Sequence, residues 1–197
     1  MNLYENCRLC PRNCSIDRTG GKIGFCGESS TIKAALASVH NWEEPPISGT
    51  KGSGTIFFTG CNLKCVFCQN YSISSEHSGK EISVERLSEI MLEQQARDVH
   101  NINLVTAVHF VPSVIKAVEK ARQNGLTIPI VYNSSGYEKA DTIKMLEGTV
   151  DIYLPDIKYF SSKLSAKYSS APDYFEYASA AVKEMHRQCG NVIFDEN

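Results

Sequence analysis

The chain has 197 residues, of which 42% are hydrophobic and 21% are charged, and its formal net charge is -2. This length fits one domain with a small appendage, and the composition is typical of a soluble globular protein. The weak net charge, the lack of an apolar run of roughly 18 residues and the lack of a secretory signal predict a cytoplasmic protein that binds neither nucleic acid nor membrane.

Four of the eight cysteines lie near the N-terminus, at the spacing C-x2-C-x3-C-x11-C. They are Cys7, Cys10, Cys14 and Cys26. Glycines among them allow the backbone to turn tightly, so four thiolates can close a tetrahedral site. Zinc and a second Fe–S cluster are both chemically allowed here. A disulfide pair is the alternative, and a reducing cytoplasm disfavours it.

Residues 31–54 contain a strand-like segment at 32–39, then Pro45 and Pro46, then a stretch rich in Gly, Ser and Thr. The prolines prevent a helix from continuing, so this stretch is interpreted as a linker. We therefore predict that residues 1–50 form a Cys-rich metal-binding segment with its linker. Residues 51–197 are then the main unit.

From Thr55 onward the pattern alternates between strands and helices. The predicted strands are residues 55–59, 103–108, 128–133, 150–154 and 192–194. The predicted helices are residues 84–98 with Ser83 as N-cap, 112–124 before Gly125, 138–147, and one that begins near Asp173. This alternation indicates an α/β protein made of βαβ units with a parallel sheet. The last predicted helix places Cys189 on an apolar stripe, so we expect that cysteine to be buried.

Three further cysteines, Cys61, Cys65 and Cys68, follow the first of these strands at the spacing C-x3-C-x2-C. Thiolates this close on one loop can converge on a soft metal centre, such as Fe–S, Zn or Cu(I). A cubane cluster normally takes four ligands, so three cysteines leave one iron open. The alternatives are a zinc site, for which His77 is the nearest fourth ligand, or three buried thiols.

The spacing C-x3-C-x2-C, with Phe67 directly before the last cysteine, resembles the signature of radical S-adenosylmethionine (radical SAM) enzymes. The resemblance implies that Cys61, Cys65 and Cys68 hold a [4Fe-4S] cluster whose fourth iron binds SAM. It also implies an external one-electron donor, flavodoxin- or ferredoxin-like, and cleavage of SAM to a 5′-deoxyadenosyl radical that abstracts hydrogen. The family's fold is a partial (β/α) barrel of roughly six units, and this chain is expected to be truncated after about four and a half.

Within that family the chain most resembles the pyruvate formate-lyase activating enzymes and their relatives with a Cys-rich N-terminus. Asp156-Ile157-Lys158 matches the Asp-x-Lys of those activases, which implies that Asp156 and Lys158 are catalytic residues that also orient SAM. Asn133 and Ser134 echo a Thr-Asn-Gly-like segment on the SAM side. Phe67 is expected to pack near the adenine.

The family's Gly-Gly-Glu after the second strand is absent here, and Asn103-Leu104-Val105-Thr106 stands in its place. By resemblance the substrate is a glycyl residue of a partner protein, while modification of a small molecule or a peptide fits equally well. Two other classes remain open: a non-catalytic Fe–S electron carrier or inactive fragment, and a zinc-stabilised binding module.

Overall fold

The computed structural model describes residues 2–191. These residues contain six β-strands and seven α-helices. The strands are β1 Ile32–His40, β2 Ser53–Phe58, β3 Lys80–Ile82, β4 Ile102–Val105, β5 Ile130–Ser134 and β6 Ile152–Pro155. The helices are α1 Pro45–Ser48, α2 Tyr71–Ser74, α3 Val84–Gln95, α4 Val111–Gln123, α5 Ala140–Lys144, α6 Ser162–Ser169 and α7 Tyr174–Cys189, with a 3₁₀ turn at Val108–Phe110.

The described strands form one mixed sheet in the order β3-β1-β2-β4-β5-β6. Strands β2, β4, β5 and β6 are parallel neighbours, as the alternation of strands and helices predicted. The predicted parallel sheet is confirmed for these four strands, whereas the six-stranded sheet is mixed, because β1 pairs antiparallel with both β2 and β3. The segment 41–52 joins β1 to β2, and an antiparallel pair of this kind needs no crossover helix.

The two faces of the sheet differ because side chains alternate along each strand. One face packs against the helices and contributes buried apolar residues to the main core, including Ile56, Leu104 and Tyr132. The other face carries polar side chains, among them Asn103 and Asn133. We call this second surface the polar face.

Several local predictions are confirmed. Ser83 caps α3 by accepting a hydrogen bond from the Arg86 backbone N–H. Gly125 follows α4 with a φ of 100°, where a left-handed residue ends the helix. One boundary differs from the prediction: the strand predicted at residues 150–154 is Ile152–Pro155, so Pro155 is its last residue.

Other sequence expectations concern the ends of the chain and its division. The predicted strand at residues 192–194 lies outside the described residues. The partial barrel, its truncation and the division at residue 50 stay predictions, although β1 lies before that division and is hydrogen-bonded to β2. In residues 2–191, no helix has both the length and the apolar character to cross a membrane.

Candidate metal and cofactor site

Residues 59–70, which we call the cysteine loop, follow the carboxyl end of β2. The first residues of this loop contact the N-terminal segment. Gly60 has a φ of 76°. A Cβ at that position would lie 2.5 Å from Glu28 Cγ and 2.6 Å from the carbonyl oxygen of Cys26. The next residue, Cys61, donates its backbone N–H to that same oxygen over 3.3 Å. The loop therefore needs glycine here, both for its backbone conformation and for this close approach.

All three sulfurs of the cysteine loop have hydrogen-bond partners. Ser169 Oγ donates to Cys65 Sγ over 2.9 Å, and Cys68 Sγ is hydrogen-bonded to Ser74 Oγ over 3.2 Å. Cys61 Sγ accepts from the Leu63 backbone N–H over 3.4 Å, and burial raises the pKa of the Cys61 thiol. Hydrogen-bond donors around sulfur suit thiolate ligands, so the chemistry of this loop fits a thiolate-bound cluster.

No three His, Cys, Asp or Glu side chains within residues 2–191 are grouped closely enough to hold a metal ion. A [4Fe-4S] cluster binds each cysteine through a different iron, so its ligand sulfurs are spread more widely than the ligands of a single ion. The absence of a single-ion grouping among the described residues therefore does not bear on a cluster held by this loop.

The N-terminal cysteines are neighbours in the structure. Gly24 lies between Cys14 and Cys26, since a Cβ there would be 3.5 Å from each sulfur. Burial, as the largest cause, together with the nearby Cys26, Cys14 and Cys7, raises the pKa of the Cys10 thiol to about 12. These neighbouring sulfurs would repel one another as free thiolates, so their ionised form needs positive charge nearby.

Arg18 is fully buried beside this group. It donates to the carbonyl oxygens of Glu28 over 3.1 Å and His109 over 2.8 Å, and it lies 3.5 Å from Cys7 Sγ. These partners are carbonyls and a sulfur rather than carboxylates. A buried cation is costly without negative charge nearby, and metal-bound thiolates would supply that charge.

Arg12 connects three parts of the site. Its Nε donates to the Asn62 carbonyl oxygen over 2.7 Å, and its Nη2 donates to the Ser169 carbonyl oxygen over 3.1 Å. Its guanidinium also stacks 3.9 Å from the ring of Phe25. One side chain thus ties the N-terminal segment to the cysteine loop and to the end of α6. A separate backbone hydrogen bond, from Val66 N–H to the Tyr168 carbonyl oxygen over 2.9 Å, also joins the cysteine loop to the end of α6.

A small apolar core lies under the cysteine loop. Its buried members are Leu63, Tyr137, Ala171, Tyr174 and Ala178, with Cys61, Cys65, Tyr159 and Tyr177 packed against them. Tyr174 also joins two strand ends, because its hydroxyl lies 2.7 Å from the Ser135 carbonyl oxygen and accepts from the Lys158 backbone N–H over 2.9 Å. This core fixes the loop against the carboxyl ends of β5 and β6.

Three of the residues assigned to SAM are exposed near this core. Phe67 is 57% exposed, and its ring centroid lies 6.5 Å from that of Tyr159. Asp156 and Lys158 follow β6 and form an ion pair with each other. Their accessibility leaves all three free to contact a ligand, and their roles stay predictions.

Asn133 and Ser134, the other two residues assigned to SAM, point to opposite faces of β5. Asn133 Nδ2 donates over 3.1 Å to Glu43 Oε2, which also accepts from Asn103 Nδ2 over 2.9 Å on the polar face. Ser134 Oγ is buried and donates to Glu138 Oε1 over 2.6 Å. Only Asn133 therefore reaches the polar face directly.

Sequence reasoning missed Arg12, Tyr174 and Ser169. Arg12 lies between Cys10 and Cys14, and that position was the one available signal. Nothing in the sequence around Ser169 or Tyr174 indicates a contact with residues about a hundred positions away. The prediction for Cys189 was wrong: this cysteine is exposed at the end of α7, since the apolar stripe does not continue to the last turn.

The fold and this loop define a class of protein: an α/β sheet with three cysteines on the loop after its first parallel strand. The pattern of the radical SAM superfamily matches residues 55–194. The chain belongs to the radical SAM superfamily.

Two relatives are uncharacterized proteins of Methanocaldococcus jannaschii. MJ0674 is 31% identical over 183 residues, which cover 89% of this chain and 52% of the relative. MJ0808 is 27% identical over 169 residues, which cover 77% of this chain and 49% of the relative. The chain therefore spans about half the length of the curated relatives it matches.

Gly60→Ala tests the close approach at the start of the cysteine loop. Gly148 has nearly the same φ, 75°, but a Cβ there meets nothing within 4 Å. Gly148→Ala should lower the free energy of unfolding by about 1–2 kcal/mol for the left-handed backbone alone. Gly60→Ala should lose about 1–3 kcal/mol more, because it also forces the backbone away from Cys26. Equal losses in urea unfolding would contradict the contact.

Arg12→Lys tests the connection between the three segments. Lysine keeps the charge but loses the planar fork that reaches several carbonyls at once. We expect the free energy of unfolding to fall by about 2 kcal/mol, measured by urea unfolding. Arg8→Lys is the matched control, because Arg8 is an exposed arginine of the same segment whose side chain donates to the nearby Ser15 Oγ. A similar loss in both variants would remove the special role of Arg12.

Glu138 predicts a pH dependence of stability. Burial raises its pKa to about 7, so the folded chain keeps a proton that the unfolded chain releases. The free energy of unfolding should therefore fall as pH rises from about 4 to about 7, by about 3 kcal/mol in all. Glu138→Gln, which stays neutral, should abolish this fall in urea unfolding at several pH values. Glu119→Gln, an exposed site on α4, should keep the wild-type profile.

Proposed function

We propose that this chain is a radical SAM enzyme in which Cys61, Cys65 and Cys68 hold a [4Fe-4S] cluster. The observation that carries the proposal is the cysteine loop itself, whose three sulfurs all accept or share hydrogen bonds. A cubane takes four ligands, and the loop offers three. The remaining iron is then free for the amine and carboxylate of SAM.

When bound and reduced, the cluster held by Cys61, Cys65 and Cys68 would supply one electron for the reductive cleavage of SAM, and this cleavage would provide the enzyme with its radical chemistry. That electron comes from an external donor, flavodoxin- or ferredoxin-like. This chemistry would remove a hydrogen atom from the substrate, and 5′-deoxyadenosine would be the product that carries that hydrogen.

The chain's own residues bind and orient SAM in this proposal. Lys158 offers a cation to the methionine carboxylate, and Asp156 accepts from ribose hydroxyls. Phe67 presents an exposed ring on which adenine can stack. Asn133 reaches the polar face with an amide that is already oriented by Glu43. The buried aromatic core under the loop keeps water from the opposite side of the cysteines.

A second centre is proposed at Cys7, Cys10, Cys14 and Cys26, filled by zinc or by a second Fe–S cluster. Its support is the mutual closeness of these thiols and the buried charge of Arg18 beside them. A closed site with four thiolates does structural or electron-relay work rather than binding substrate.

The substrate is proposed by resemblance alone. An activase-like role would make it a glycyl residue on a partner protein, and a small molecule or a peptide fits the same chemistry. The open side of the site, where Phe67, Asp156 and Lys158 are exposed, can receive either.

The test is anaerobic reconstitution with iron and sulfide, followed by reduction in the presence of SAM. Wild-type protein should hold about four more iron atoms per chain than Cys65→Ala, and it should release 5′-deoxyadenosine. Cys189→Ala should match the wild type, because that cysteine lies outside both groups. Iron without 5′-deoxyadenosine would instead indicate an electron carrier or an inactive fragment. Zinc as the sole bound metal would indicate a binding module.

A further inference from the structure

Two side-chain hydroxyl groups form a chain of hydrogen bonds that ends at the sulfur of one cysteine of the loop. Ser169 is the last residue of α6 and is fully buried. Its Oγ donates to Cys65 Sγ over 2.9 Å. The Tyr159 hydroxyl lies 2.7 Å from the same Ser169 Oγ. Because the Ser169 proton points to the sulfur, the Tyr159 proton must point to Ser169, so both dipoles are directed at Cys65.

The direction of the hydrogen bond that Ser169 donates is unusual for a buried serine in a helix. Such a serine commonly donates to a carbonyl of the preceding turn. Ser165, equally buried on the same helix, does so by donating to the Ser162 carbonyl over 3.1 Å. Ser169 donates to a sulfur instead, and a neutral thiol is a weak acceptor. The arrangement therefore suits a sulfur that carries negative charge.

We propose that Ser169, supported by Tyr159, is a positioning residue that raises the reduction potential of the cluster held by Cys61, Cys65 and Cys68. This inference rests on the proposed function. One-electron reduction adds negative charge that is shared by the ligand sulfurs. A donor aimed at Cys65 stabilises the reduced state more than the oxidised state, and hydrogen bonds to sulfur are among the factors that set cluster potentials.

The functional consequence is a wider choice of electron donors. A cluster with a higher potential accepts an electron from a weaker reductant. The Tyr159–Ser169 pair would thereby help to determine which flavodoxin- or ferredoxin-like partner can reduce the enzyme.

The helix end that carries Ser169 is held independently of its hydroxyl. Arg12 binds the Ser169 backbone carbonyl, and Val66 N–H binds the neighbouring Tyr168 carbonyl. Ser169→Ala therefore removes one hydrogen bond to sulfur while both backbone contacts remain. Tyr159→Phe likewise keeps the ring that packs on Tyr174 and removes only the outer donor.

The experiment is a redox titration of reconstituted protein, monitored by electron paramagnetic resonance. It follows the signal that disappears in Cys65→Ala. Ser169→Ala should lower the equilibrium constant for reduction about tenfold, which corresponds to a midpoint potential lower by about 59 mV. Tyr159→Phe should give a smaller decrease, and Ser169→Thr, which keeps a hydroxyl, should restore the wild-type value. Ser165→Ala is the matched control and should have no effect.

An unchanged potential in Ser169→Ala at full iron content would overturn the inference and leave the proposed function standing. An equal shift in Ser165→Ala would also overturn it, because the effect would then belong to the helix rather than to the hydroxyl. If Ser169→Ala holds no iron, Tyr159→Phe decides by the same measurement. Wild-type protein without any signal sensitive to Cys65→Ala would remove the proposed function, and the inference with it.

Discussion

The cysteine loop depends on one side chain from outside the matched domain. Arg12 comes from the N-terminal segment, and its guanidinium binds carbonyl oxygens of both the loop and the end of α6. A guanidinium suits this place because it carries five N–H donors in a planar fork. Several of these donors can reach backbone carbonyl oxygens whose positions are fixed. The loop is therefore shaped by three segments that are distant in sequence, and neither β2 nor the loop alone determines its geometry.

This arrangement links the two cysteine groups physically. Cys61 N–H bonds to the Cys26 carbonyl, and Gly60 permits the approach that this bond requires. A metal that orders Cys26 at the N-terminal site would also order Cys61, the first cysteine of the cysteine loop. Because such coupling is reciprocal, a cluster on the loop would favour the folded N-terminal site to the same extent. The Cys-rich segment thus contributes to the geometry of the cysteine loop through these backbone contacts.

The shared loop of Cys61, Cys65 and Cys68 could be predicted from sequence because the information for it is local. Three cysteines within eight residues after a strand must share a loop, whatever the remainder of the chain does. The supports could not be predicted, since each is a contact between distant segments. Ser169 reaches Cys65 across more than a hundred residues, and its own neighbours in sequence are ordinary helix residues. The same distinction applies to the fold. The alternation of strands and helices along the sequence predicts the parallel strands. The antiparallel pairing of β1 is a contact between distant segments, so it could not be predicted in this way.

Asn133 and Ser134 show where reading a motif along the chain reaches its limit. Their match to a segment of the family concerns sequence position, whereas a strand presents neighbouring residues to opposite faces. Only the pairing of β5 with β4 and β6 decides which of the two reaches the polar face, and the structure gives that place to Asn133. Ser134 Oγ is instead committed to Glu138, inside the protein. A ligand on the polar face would therefore meet the Asn133 amide and the Glu43 carboxylate together. The negative charge of Glu43 favours hydrogen-bond donors and cationic groups at that place.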